Sequence, residues 1–292
     1  MTSPSVRPPT RIVDAHVHLW DPARTDWYPY LTSSTQLGMG DVSGMARRFD
    51  VPTYLSESAR WNVAKLVNVA AATGRHSIDE TLDLDRRADA DGHPDAIIGG
   101  LPPADSVADA IAMLDEQMTA GRFRGVRPMG PMSAPVPDDD VLRALAERGL
   151  VFELMAHPDQ LVEAARRLGA IEDLVVVVEH AGWPRSSEPD EHARWRDGMS
   201  ALADAGGHVH CKLSGLAMPL GAVSAEAFRP WLEHAIDAFG VDRCFFASNF
   251  PVDGVHGTFD QLFEAYAEVT AGLDDDARDR LFAANAERLY RI

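Results

Sequence analysis

The sequence predicts an α/β protein built as a single-domain (β/α)8 barrel of the TIM type, and three observations support this fold class. Eight short apolar segments alternate with segments of helical periodicity along nearly the whole chain. This alternation is typical of a parallel sheet whose strands are joined by right-handed helical crossovers. The chain has 292 residues, which suits one closed barrel. The glycine-rich fingerprint of an open dinucleotide-binding sheet is missing after the first strand.

The eight predicted strands are apolar runs, as expected for strands that are buried on both faces. They cover Arg11–His18, Ala64–Ala72, Ala96–Leu101, Phe123–Pro128, Leu150–Ala156, Leu174–Glu179, His208–Ser214 and Arg243–Ser248. Residues 1–10 are rich in proline, serine and threonine, and we predict a flexible tail there. The barrel is therefore assigned to residues 11–292.

A long connection from Trp20 to Trp61 follows the first strand and contains several aromatic residues among prolines and glycines. Connections of this length are usually functional, and in a barrel this one would lie over the mouth. It is interpreted either as a wall of the substrate pocket, with Trp20 in contact with substrate, or as a loop packed by its own aromatic side chains.

Composition excludes some classes of partner. The net charge is −18, which disfavours nucleic acid because phosphates would be repelled. No stretch approaches 18 apolar residues, and the N-terminus lacks the apolar core of a signal peptide. The two cysteines, Cys211 and Cys244, do not make a disulfide framework. We therefore expect a cytoplasmic protein that acts on a small molecule without membrane contact, and a homo-oligomer stays open.

Polar side chains gather at the carboxyl ends of the predicted strands, where barrel enzymes have their active sites. They are His16, His18, Arg127, His157, His180, Lys212, Ser214 and Asn249. Alternate residues of a strand share a face, so the first two histidines point the same way. Histidine is the commonest metal ligand and the usual general base near neutral pH. The pattern predicts either a metal centre at His16, His18 and His180 or an acid–base cluster.

Three other side chains are candidates for binding substrate. Arg127 suits a carboxylate, because its planar fork matches that geometry, or it pairs with a neighbouring acid. His157 precedes Pro158 and either contacts substrate or caps the next helix. Lys212 alternates with Cys211, so it faces the barrel interior, where a lysine must be paired or have a lowered pKa.

Six motifs carry a resemblance to a known family. They are DAHVHLWDP (14–22), ELMAHPDQL (153–161), VVEHAGWP (177–184), CKLSGL (211–216), HAIDAFGVDRCFFASNFPVD (234–253) and NAERLYRI (285–292). On these motifs the chain resembles the amidohydrolase superfamily (amidohydrolase family 2), in particular the lactonase-like branch with 2-pyrone-4,6-dicarboxylate lactonase and the sugar-acid lactonases. The resemblance implies a (β/α)8 barrel, hydrolysis of a cyclic ester or amide, and action of His16, His18 and His180 at the carbonyl. It leaves metal use open, with zinc or manganese as the candidate ions and no organic cofactor.

The sequence departs from this family at the last strand. The family usually ends that strand in Ser-Asp-Trp-Pro, with the aspartate as metal ligand or general base, whereas residues 248–251 read Ser-Asn-Phe-Pro. An amide cannot take a proton at neutral pH, so Asn249 is limited to ligating through its oxygen or to hydrogen bonding. The base is then a metal-bound hydroxide, His180 or Asp253.

The main functional hypothesis is a hydrolase that opens a lactone carrying a carboxylate or hydroxyl groups. One alternative is a metal-dependent decarboxylase of the same superfamily, which would release carbon dioxide from its substrate. Another is a barrel that binds a ligand but has lost catalytic activity because residue 249 is an asparagine.

Overall fold

Eight parallel strands form a closed barrel in the computed structural model, which describes residues 7–31 and 43–292. The strands are β1 (Ile12–Val17), β2 (Val63–Val69), β3 (Ala96–Leu101), β4 (Phe123–Pro128), β5 (Val151–Leu154), β6 (Val176–Val178), β7 (Val209–Leu213) and β8 (Cys244–Phe246). They pair in sequence order. The backbone amide of Asn249 donates to the carbonyl of His16 at 2.8 Å and so joins the end of β8 to β1. The predicted barrel is confirmed.

Helices cover the outside of the sheet. They are α1 (Val51–Glu57), α2 (His76–Asp91), α3 (Val107–Gln117), α4 (Asp139–Glu147), α5 (Leu161–Leu168), α6 (Pro189–Asp204), α7 (Ala217–Leu220), α8 (Ala225–Phe239), α9 (Phe259–Val269), α10 (Asp275–Asp279) and α11 (Asn285–Tyr290). A π-helical turn, Arg280–Ala284, joins α10 to α11. None of the described helices is long and apolar enough to span a membrane.

The barrel interior below the mouth is filled mainly by apolar side chains. Its side chains are mostly small or β-branched: Val13, Ala15, Val67, Val69, Ala96, Ile98, Val151, Val177, Phe245 and Ala247. Side chains of the C-terminal helical segment, including Leu289 and Tyr290, pack into the same cluster and close the end opposite the mouth. Polar groups at the carboxyl ends of the strands therefore lie above an interior that is apolar apart from buried groups such as the Glu153–Lys212 pair.

An irregularity in β1 sets the direction of its histidines. The pairing of β1 with β2 shifts after Asp14, as at a β-bulge. Ala15 packs into the interior cluster, and the adjacent His16 also faces the interior, where it meets Lys212. Asp14 instead accepts a hydrogen bond from the Tyr54 hydroxyl of α1 at 2.9 Å. The bulge thus turns the histidines inward.

The connection after β1 is fastened to the end of β2. The Tyr28 hydroxyl donates to Glu80 Oε1 at 2.8 Å, and Glu80 Oε2 accepts the backbone amide of Ala71 at 2.9 Å. The Tyr30 hydroxyl donates to the Ala71 carbonyl at 2.8 Å. Within the connection Trp20 contacts the rings of both tyrosines, so its described part is packed by its own aromatic residues. Residues 32–42 lie outside the described part.

The predicted tail is described only in part. Residues 1–6 lie outside the described residues, so flexibility stays a prediction for them. Arg7 pairs with Asp275, and the Thr10 carbonyl accepts from Asn62 Nδ2 at 2.8 Å. Residues 7–10 therefore run along the barrel surface.

Candidate active site

The structure brings the three predicted histidines together at the barrel mouth. His16 Nε2 lies 3.2 Å from His18 Nε2, and the ring centroids of His16 and His180 are 4.6 Å apart. All three rings are buried. Burial, reinforced by nearby cationic side chains, lowers the pKa of each histidine well below its ordinary value. The cluster therefore consists of neutral imidazoles at neutral pH.

His18 is fixed by the backbone and by an aromatic ring. Its Nδ1 lies 2.8 Å from the Val69 carbonyl, which only accepts, so Nδ1 carries the proton and Nε2 a lone pair. Trp20 stacks on the imidazole with ring centroids 5.6 Å apart, and its Nε1 donates to the Arg47 carbonyl. Trp20 is buried behind His18, and its predicted contact with substrate stays a prediction.

His180 sits on a strained turn directly after β6. His180, Ala181 and Trp183 have φ values of 51°, 48° and 35°, and such left-handed residues cost about 1–3 kcal/mol each. Nδ1 of His180 lies 3.0 Å from Ser214 Oγ. A Cβ on Gly215 would lie 2.4 Å from that nitrogen, so only glycine permits this approach. Strain of this kind is typical of functional sites.

Arg127 and Glu179 form an incompletely satisfied pair beside the histidines. Arg127 Nη1 lies 3.4 Å from Glu179 Oε2, and both side chains are largely buried. Arg127 Nε and Glu179 Oε1 have no hydrogen-bond partner among the described residues. Glu179 is therefore the acid to which Arg127 is tied, yet both groups keep hydrogen-bonding capacity for a ligand.

Lys212 lies below the histidines. Its Nζ donates to Glu153 Oε2 at 2.6 Å and lies 3.4 Å from His16 Nδ1. The side chain is fully buried. Glu153 takes one of the three ammonium donors, and the predicted contact of Lys212 with substrate stays a prediction. The predicted inward orientation and pairing are observed.

Asn249, where the sequence departs from the family motif, is hydrogen-bonded to Asp253. Asn249 has φ 57°, a conformation that asparagine tolerates better than most residues. Its Nδ2 donates to Asp253 Oδ1 at 2.9 Å, so the carboxylate orients the amide. Burial raises the pKa of Asp253 to about 7, against the lowering effect of the Asn249 hydrogen bond.

His157 lies at the edge of the cluster. Its Nδ1 is 3.2 Å from the Trp183 carbonyl, and Trp183 contacts the His180 ring edge-on. The His157 backbone amide donates to Gln160 Oε1 at 2.9 Å, just before α5. Its backbone thus takes part in the turn that leads into the helix, and its predicted contact with substrate stays a prediction.

The described part of the chain contains one donor set that fits a divalent cation. Ligand atoms of His16, Glu179 and His180 lie within 4.8 Å of one another, and all three residues are buried. Neutral imidazoles and an unpaired carboxylate oxygen are the donors such an ion requires. This donor set contains Glu179 in place of His18, which the sequence-based prediction had included.

A family model described as Amidohydrolase matches residues 13–292. The chain belongs to this amidohydrolase family. An uncharacterized protein of Sinorhizobium fredii is 32% identical to it, covering 96% of this chain and 98% of that protein. An L-fucono-1,5-lactonase of Burkholderia ambifaria is 29% identical, covering 96% of this chain and 95% of that enzyme. A crystal structure of a Burkholderia multivorans amidohydrolase with bound zinc has a TM-score of 0.79 at 24% identity, covering 97% of this chain and 100% of that chain, and shows the same fold.

Glu153 and Glu179 of this amidohydrolase are absent from the sequence-based candidates. Both are single carboxylates in the otherwise apolar runs that precede His157 and His180. Glutamate is almost never fully buried without a partner. An acid in a strand predicted to be buried on both faces was therefore the signal for these two residues.

Replacing Asp253 with asparagine should change how the stability of the amidohydrolase depends on pH. The raised pKa, about 7 against the ordinary 3.8, means that the folded protein holds a proton which the unfolded chain releases. Stability from the protonated form is present at low pH and is lost as pH rises from about 4 to about 7. We expect Asp253→Asn to be more stable than the wild type at pH 8 and similar at pH 4.5 in urea denaturation.

The exposed Asp197 provides the control for this measurement. Asp197→Asn should shift the unfolding free energy little at either pH. An equal gain for Asp253→Asn at both pH values would contradict the prediction.

Proposed function

We propose that this amidohydrolase hydrolyses a small lactone that carries a carboxylate or hydroxyl groups. The observation that carries the proposal is the convergence of three buried imidazoles beside Arg127, a buried guanidinium whose Nε has no hydrogen-bond partner among the described residues. The lactonase name of the Burkholderia ambifaria relative supports the reaction type.

Substrate binding uses His16 and Arg127. The lactone carbonyl oxygen lies against the His16 and His18 pair. The Nε2–H of His16, which is 3.2 Å from His18 Nε2, also donates to this oxygen as negative charge develops on attack. Arg127 binds a carboxylate of the substrate through charge-assisted hydrogen bonds, for which its Nε is available. Trp20, stacked behind His18, keeps that ring in place.

The general base is His180. Asp253 is fully buried and its carboxylate orients Asn249, whose amide accepts no proton. We assign the Nδ1 proton of His180 to the hydrogen bond with Ser214 Oγ, and this assignment leaves a lone pair on Nε2. That nitrogen lies 3.8 Å from Glu179 Oε2, so the carboxylate stabilises the imidazolium when the proton arrives.

The proposed reaction consumes only the lactone and one water molecule. Water attacks the carbonyl carbon, and its proton moves to His180 Nε2. The ring carbon–oxygen bond breaks as the tetrahedral intermediate collapses, and His180 returns the proton to the leaving oxygen. The product is the open hydroxy acid.

A divalent cation is an alternative source of polarisation at the same place. His16, Glu179 and His180 would hold it, and these donors suit zinc or manganese. Such an ion polarises a carbonyl and lowers the pKa of water when bound. The two uses exclude each other at His180, because a lone pair given to a cation accepts no proton.

Two further proposals concern the cellular compartment of the protein and its partners. The described cysteines, Cys211 and Cys244, are buried and free, which is in keeping with a reducing compartment such as the cytoplasm. The net charge of −18 makes nucleic acid an unsuitable partner.

The deciding experiment is an assay of lactone opening before and after removal of metal ions with a chelator. Sugar-acid lactones and carboxylated pyrones would be tested, with the hydroxy acid identified by NMR. A preparation of His16→Ala, purified in parallel, excludes a contaminating esterase. Carbon dioxide release without ring opening would instead indicate a decarboxylase, and binding without turnover would indicate a barrel that has lost chemistry.

A further inference from the structure

A line of buried polar groups runs from the C-terminal helix to the active-site histidines. The Tyr290 hydroxyl donates to Glu153 Oε1 at 2.6 Å. Glu153 Oε2 accepts from Lys212 Nζ at 2.6 Å, and Nζ lies 3.4 Å from His16 Nδ1. All four side chains are fully buried. Tyr290, Glu153 and Lys212 take no part in the proposed reaction.

The Lys212 ammonium determines which nitrogen of His16 donates a hydrogen bond and which one accepts. An ammonium has three donors and no acceptor, so His16 Nδ1 must face Lys212 with its lone pair. A neutral imidazole with an unprotonated Nδ1 carries its proton on Nε2. That Nε2 lies 3.2 Å from His18 Nε2, which bears a lone pair because His18 donates through Nδ1 to Val69.

We propose that Lys212 is a positioning residue that holds the His16 proton on Nε2, so that His16 acts as a hydrogen-bond donor and resists coordination of a cation. The inference rests on the proposed lactone hydrolysis. The geometry behind it is the 3.4 Å approach of Lys212 Nζ to His16 Nδ1, with both side chains fully buried.

The resistance to a cation has two physical causes. Coordination through Nε2 requires its lone pair, so the proton would move to Nδ1. There the Lys212 ammonium cannot accept it, and the nearest carboxylate oxygen, Glu179 Oε1, lies 3.9 Å away, beyond hydrogen-bond range. Coordination through Nδ1 would bring the cation against the ammonium itself, and like charges at such short range repel strongly where little water screens them. Lys212 thus favours direct action of the histidines over metal chemistry at this site.

The first test measures zinc affinity by calorimetry, with zinc chloride as the probe and chelator-stripped protein. We expect Lys212→Met to bind zinc at least about tenfold more tightly than the wild type, since about 1.4 kcal/mol of relieved repulsion suffices. Lys212→Met leaves Glu153 buried without its cation, so the double variant Lys212→Met/Glu153→Gln is measured as well. It removes the buried pair without a net change in charge and isolates the effect of the proton position. Zinc affinities of both variants within twofold of the wild type would overturn the proposal.

The matched control is the other lysine of the sequence, Lys65. It lies on β2 and pairs with Glu287 through Nζ and Oε1 at 3.2 Å. Lys65→Met should leave zinc affinity unchanged, whereas an equal increase would assign the effect to overall charge.

The second test observes the proton directly. In ¹⁵N NMR of the imidazoles of the metal-free protein, the signals that vanish in His16→Asn identify His16, and they should be those of a ring with a protonated Nε2 and an unprotonated Nδ1. The double variant at Lys212 and Glu153 should lose this single form. A wild-type His16 protonated on Nδ1 would refute the inference.

Activity supplies a third readout. For metal-free enzyme, the double variant should lower kcat by about tenfold or more, because an oriented hydrogen-bond donor to the carbonyl is lost, with KM changed little. Recovery of wild-type kcat by the double variant would show that Lys212 is only structural. Should no lactone be opened by the wild type, the proposed function fails, while the zinc and NMR measurements still decide the role of Lys212.

Discussion

Replacing His180 with asparagine should lower kcat by about 10²–10⁴-fold, the usual contribution of a general base. The asparagine amide can still reach Ser214 Oγ, which His180 Nδ1 contacts at 3.0 Å, but it accepts no proton at neutral pH. Because burial lowers the pKa of His180 well below its ordinary value, the wild type should lose kcat/KM only well below pH 6.5. Turnover of one lactone by both proteins across pH checks this.

The control is His192→Asn, a histidine on the outer helix α6 that contacts Trp231 and not the active-site cluster. It should keep wild-type kcat. Thermal unfolding of both variants separates lost catalysis from lost fold. A His180→Asn enzyme with more than about a tenth of wild-type kcat would move the base elsewhere.

Replacing Arg127 with methionine should raise KM for a carboxylate-bearing lactone by about 10- to 150-fold. The basis is the value of about 1.5–3 kcal/mol for a hydrogen bond to a charged group. KM for a neutral lactone of similar size should change far less, because that substrate offers no carboxylate to the guanidinium. The ratio of the two values within one variant cancels any general loss of folded enzyme.

Arg122→Met is the matched control, since Arg122 lies just before the same strand and pairs with Asp89 away from the mouth. It should leave both KM values unchanged. Equal increases for the charged and the neutral lactone in Arg127→Met would show that Arg127 supports Glu179 rather than substrate.

The sequence alone predicts the barrel and most of its active-site histidines. Continuous apolar runs such as Val176–Val178 are readable as buried strands because such strands have no polar face. His16, His18 and His180 are predictable as a group because the carboxyl ends of parallel strands meet at one mouth. Asn249 is recognisable as a departure because the family motif around it is otherwise kept.

Tertiary structure alone decides how these side chains are used. Strand alternation predicts that Ala15 and His16 face opposite sides, but the bulge after Asp14 turns both into the barrel, because one extra residue shifts the pairing with β2. Glu153 on β5 and Lys212 on β7 form a buried ion pair although they are 59 residues apart in the sequence. No local pattern encodes such a contact. The sequence thus determines which chemistry is present at the mouth. The three-dimensional pairing of buried charges decides which nitrogen of His16 carries the proton, because a buried donor must find an acceptor.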